Sequence, residues 1–143
     1  MKQLRFPVLV FALGCAFQSS ADVTPPANGA ALFAERCSRC HGVDGKGGGP
    51  GAADLKTQPS DLTRIAARRG GVWPMLEIMS IIDGYTRSTT PREDMPVIAE
   101  LSKGPMVDFD TGNALLTPTP ARLIALADYL ESIQSPKPER FVP

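Results

Sequence analysis

A single histidine, His41, closes the run Cys37-Ser38-Arg39-Cys40-His41, and this pentapeptide constrains the fold more than any other stretch of the chain. One imidazole rules out every site built from two. Two thiols three positions apart lie about one helical turn from each other, with the ring immediately beside them. A structural zinc ion needs about four ligands, and beyond the leader Cys37, Cys40 and His41 are the only Cys or His side chains. A dithiol oxidoreductase would embed the pair in a βαβ pattern, which the surroundings lack. A disulfide across two residues is strained geometry for a domain staple.

The reading that uses all three side chains is covalent attachment of a c-type haem. Each thiol adds across a vinyl group, and His41 becomes the proximal iron ligand. The opposite axial position is then found by subtraction. Met75 and Met79 sit at helical spacing on an apolar face and read as core. Met95 precedes Pro96 in a polar, irregular stretch without an evident packing partner, so Met95 is the expected ligand. Met106 and an open sixth position remain as alternatives.

Residues 1–21 read as a secretory signal. Lys2 and Arg5 precede an apolar run from Phe6 to Phe17, and Ser19-Ser20-Ala21 is a small-residue end. The run is too short for a spanning helix. Ala12-Leu13-Gly14-Cys15 resembles a lipoprotein cleavage site, which makes lipidation of Cys15 the second reading. Either one exports a domain of residues 22–143, expected in the periplasm, soluble or tethered to a membrane. Losing the leader takes the charge balance from 15 against 15 to 13 bases against 15 acids, or −2. No basic field for nucleic acid exists. Six aromatics remain, few for a domain of this size, and a planar cofactor would complete the core.

The rest of the chain reads as mainly helical with long loops. Asn28 caps a helix running towards Cys37. Residues 42–51 hold six glycines and form a loop embedded in the domain. Asp61 starts a short helix through Thr63 to Arg69, and Pro74 opens a helix bearing Met75, Ile78, Met79 and Ile82. Val107 and Phe109 alternate with Asp108 and Asp110 before the turn Thr111-Gly112-Asn113, which describes a small β-hairpin. Thr119 caps and Pro120 starts a closing helix lined by Leu123, Leu126, Ala127, Leu130 and Ile133; the tail beyond Pro136 is expected to fray.

With these residues in view, the chain resembles a class I monohaem c-type cytochrome of a bacterial periplasm, over nearly all of residues 28–134. Gly29, Phe33 and Tyr129 are similar to the residues at which that family's first and last helices cross. Gly49-Pro50 resembles the family's Gly-Pro, whose Pro carbonyl accepts the proximal imidazole N–H. Ile82-Asp83-Gly84-Tyr85 followed by Met95-Pro96 is similar to its approach to the distal Met. The resemblance implies a cytochrome c-like helical fold wrapped around one covalently bound haem c. Residues 97–118 depart from the compact members and insert the hairpin before the last helix.

His/Met ligation leaves no vacant iron position, so the expected role is a periplasmic one-electron carrier between redox partner proteins, not an enzyme. The alternative is a haem-bearing subunit of a dehydrogenase or oxidase complex. Trp73 and Tyr85 each carry a donor able to reach a haem propionate. Arg39, Arg64, Arg68, Arg69 and Arg87 are further candidates for propionates or partner acids, though solvated arginines are the commoner case.

Overall fold

The computed structural model describes residues 27–88, 92–112 and 114–142. The leader, its cleavage after Ala21, Cys15 and the side chain of Arg87 lie outside the described residues. Among those described, no helix is long and apolar enough to cross a membrane.

Among the described residues, four helices carry the fold. The first, α1 (Gly29–Arg36), begins where the Asn28 side chain accepts the Ala31 amide at 3.1 Å. It runs into the single turn α2 (Ser38–His41) through Cys37, whose carbonyl accepts the Cys40 and His41 amides. Helix α3 (Met75–Ile82) buries Met75, Ile78, Met79 and Ile82, the 0, +3, +4, +7 spacing of one helical face. Helix α4 (Ala121–Ser132) buries Leu123, Leu126, Ala127 and Leu130 by the same rule. Fully burying a side chain such as Leu126, 0% exposed, stabilises by about 2 kcal/mol.

Helices α1 and α4 cross at Gly29. A β-carbon there would lie 1.9 Å from the Ala125 carbonyl oxygen, so the backbones touch and nothing larger fits. Phe33 and Tyr129 pack beside the crossing with ring centroids 5.2 Å apart and planes tilted by 44°. The expected contact of Gly29, Phe33 and Tyr129 is present.

The hairpin is present too. Strands β2 (Met106–Asp110) and β3 (Leu116–Pro120) pair antiparallel, from Met106 opposite Pro120 to Asp110 opposite Leu116. Phe109 packs against the core, whereas Met106, Leu115 and Leu116 are 53%, 65% and 64% exposed.

Three expectations need correction. The stretch from Thr63 to Arg69 is two 3₁₀ turns, Leu62–Arg64 and Ala67–Arg69, and not one α-helix. The Ala66 amide donates to the side chain of Gln134 at 2.9 Å, so it is withdrawn from a helical ladder. Thr119 does not cap α4. It sits in the β3 ladder opposite Val107 and donates its hydroxyl to the Thr117 carbonyl, leaving Pro120 as the cap residue. The tail is not frayed. Strand β4 (Arg140–Val142) pairs in parallel with β1 (Val72–Pro74), Trp73 opposite Phe141, and the Gly71 carbonyl accepts the Glu139 and Arg140 amides.

Candidate cofactor-attachment site

Cys37, Cys40 and His41 lie within one turn because α2 is only four residues long and is stopped by Gly42, whose φ of +77° suits glycine. A loop then folds back onto that turn. Gly47, Gly49 and Gly51 donate their amides to the carbonyls of His41, Cys40 and Arg39 at 2.7, 3.1 and 2.8 Å. These are the carbonyls a helix end leaves unpaired. A β-carbon on Gly49 would lie 2.3 Å from the Arg39 oxygen. The glycine run is therefore a close-fitting clamp on the motif.

The clamp also positions the imidazole. The Leu62 amide bonds to the Gly45 carbonyl at 2.7 Å, and the Gln58 side-chain amide bonds to that of Gly47 at 2.9 Å. This draws residues 58–62 against the loop and sets the Ser60 carbonyl 3.1 Å from His41 Nδ1. A carbonyl only accepts, so Nδ1 carries the proton and Nε2 keeps its lone pair for a metal. Burial lowers the pKa of the ring, against the Ser60 carbonyl, which favours the charged form. The neutral imidazole is the form that ligates. The resemblance assigned this hydrogen bond to Pro50. Pro50 is instead exposed, and the Ser60 carbonyl takes the role in this structure.

Both thiols are free and partly exposed. Burial, with the neighbouring Cys40 adding to it, pushes the Cys37 thiol up to about 11. A dithiol redox centre needs the opposite, a thiol lowered towards neutrality. No group of three or more His, Cys, Asp or Glu able to hold a metal ion occurs among the described residues.

The four described methionines fall into three environments. Met75 and Met79 are 7% and 4% exposed on α3, Met106 is 53% exposed on the hairpin, and Met95 is partly buried against the core from an irregular stretch. Trp73 is 1% exposed, and its Nε1–H is buried without a partner. An indole donor in that position calls for an acceptor that the polypeptide does not provide. Tyr85 has the opposite setting: it is 82% exposed on the turn Tyr85–Ser88, so its burial gives no support to a ring packed on a macrocycle. Among the arginines, Arg69 forks onto the Glu77 carboxylate, Arg68 bonds the Asp61 carbonyl, and Arg39 and Arg64 are exposed.

Two residues beyond the sequence expectations shape the region. Ser60 acts through its backbone, which no side-chain pattern announces. Gln134, 3% exposed, accepts the Ala66 amide and donates to the Leu62 and Leu130 carbonyls at 2.8 and 2.7 Å. It joins the end of α4 to the segment beside Ser60.

The set fits a covalently bound haem: two free thiols on one turn, an imidazole with its metal-facing nitrogen unprotonated, and a buried indole donor left unpaired. No curated protein and no solved structure matches the chain. The family model described as cytochrome c matches residues 26–134, which span every described α-helix and both hairpin strands. Membership implies a covalently bound haem c and haem-based electron transfer. With the motif, its clamp and the crossing of its first and last helices in place, the chain belongs to the cytochrome c family.

Proposed function

We propose that this protein is a periplasmic one-electron carrier of class I type, exported by the leader at residues 1–21. A single haem c is bound through Cys37 and Cys40, with His41 and Met95 as axial ligands. The bound haem supplies a reversible iron couple; the chain orients it and limits access to it. The observation that carries the reading is the clamped α2 turn, where the Ser60 carbonyl fixes the His41 tautomer beside both thiols. Met95 is the favoured sixth ligand because Met75 and Met79 are committed to the core and Met106 lies out on the hairpin. The unpartnered, buried Trp73 Nε1–H supports its reading as a donor to a propionate. Two strong axial ligands leave no site for substrate and favour outer-sphere transfer. Contacts with donor and acceptor proteins are then small and transient.

Met95→Ala tests the assignment. The variant is expected to lose the low-spin six-coordinate spectrum of wild type in both redox states and to bind carbon monoxide rapidly when reduced. Rapid binding by wild type would refute Met95 ligation.

The hairpin favours one second reading. Its exposed Met106, Leu115 and Leu116 would suit a permanent subunit contact in an oxidoreductase complex. Copurification at fixed stoichiometry with a catalytic subunit would support that reading, and a soluble monomer would count against it. A lipid tether through Cys15 is settled by the mass of the mature N-terminus.

A further inference from the structure

Phe109 of β2 and Phe141 of β4 line one open groove of about 370 Å³, with the buried Trp73 of β1 behind them. The rim is acidic: Asp110 follows Phe109, while Asp128 and Glu131 project from α4 one turn apart. None of the ion pairs among the described residues uses these three carboxylates. Lys137 acts on Glu131, whose ionised form its charge favours, but its ammonium is held by the Ser132 carbonyl. Burial pushes the Asp128 and Glu131 carboxyls up, and the Asp128 charge pushes Glu131 further.

This combination selects its occupant. An apolar surface would desolvate carboxylates without pairing them, which is costly. An anionic lipid surface would meet like charge, as would a second copy seated symmetrically on the same rim. A guanidinium suits both halves of the site, because it stacks on aromatic faces and forks onto carboxylates. We propose that the groove between β2, α4 and β4 is a docking site for an arginine-bearing segment of a protein partner. Trp73 is shared with the haem assignment; the three carboxylates, Phe109 and Phe141 are not.

The test uses the full-length, haem-loaded, reduced protein labelled with ¹⁵N, at low ionic strength. The probe is the peptide acetyl-Gly-Arg-Arg-Gly-amide, with citrulline replacing arginine as the neutral control. Saturable shifts of the Phe109 and Phe141 amides are expected with the arginine peptide and not with the citrulline one. The double variant Asp128→Asn/Glu131→Gln should bind about tenfold more weakly, which corresponds to about 1.4 kcal/mol. Its thermal midpoint should be equal or higher, which separates lost binding from lost folding. No saturable shift, equal response to citrulline, or undiminished binding by the variant overturns the proposal. So does a response of the same signals to protein concentration alone with a dimer in sedimentation, or to phosphatidylglycerol vesicles in place of the peptide.

Discussion

Gln134 shows how much one side chain can hold. Its amide satisfies a buried N–H and two carbonyls belonging to segments far apart in sequence. Gln134→Leu keeps the volume but leaves those groups unpaired. At about 1–3 kcal/mol for each buried unsatisfied group, a loss of about 3 kcal/mol is expected by urea unfolding. The Arg69–Glu77 pair works on a smaller scale. The Arg69 guanidinium hydrogen-bonds Glu77 and holds its carboxyl below the usual range. Because the folded pKa is depressed, the stabilisation is present above the unfolded value of about 4.3 and is lost as pH falls through the folded one. Glu77 is 48% exposed, so solvent screening limits the pair to under about 1 kcal/mol. Glu77→Gln should therefore lower the thermal midpoint slightly at pH 7 and leave it unchanged at pH 3.

At the scale of elements, the crossing of α1 and α4 depends on Gly29. Gly29→Val would drive a β-carbon into the Ala125 carbonyl. Overpacking of this kind costs about 1–3 kcal/mol, and a clear fall in the thermal midpoint is expected. This contact was expected only through the family resemblance, whereas the Asn28 cap, the apolar face of α3 and the hairpin were legible in the residues themselves. Each rests on residues close together in the chain: a cap three residues from its target, a 3.6-residue period, an alternation leading into Thr111-Gly112. The misread elements depend on partners remote in sequence. Ala66 loses its helical role to Gln134, and the tail gains strand form only because β1 offers an edge to pair with. The site divides in the same way. Cys37, Cys40 and His41 declare themselves by type and spacing, whereas Ser60 contributes a carbonyl that every residue possesses. Its selection over Pro50 is decided by the backbone bonds of the glycine clamp.

For the whole molecule, few aromatics lie beyond residue 21, and two of them, Tyr85 and Phe141, are largely exposed. On the proposed reading the macrocycle completes the apolar interior, so attachment and tertiary order are linked. Cys37→Ser/Cys40→Ser, produced without haem, should keep helical far-ultraviolet dichroism but lose the near-ultraviolet bands of a fixed Trp73. A variant with native near-ultraviolet bands would show that the polypeptide orders its core unaided.

The parallel pairing of β1 with β4 has a consequence in time. Val72 meets Arg140 across 68 intervening steps of the chain. A polypeptide crossing a membrane N-terminus first delivers the haem motif early and Phe141 late. On the proposed export route, attachment can thus begin on a chain still being threaded, but the proposed docking groove lacks its Phe141 wall until β4 arrives. Partner recruitment at that groove would be reserved for molecules whose translocation has passed residue 142, so docking there would report that delivery of the domain is complete.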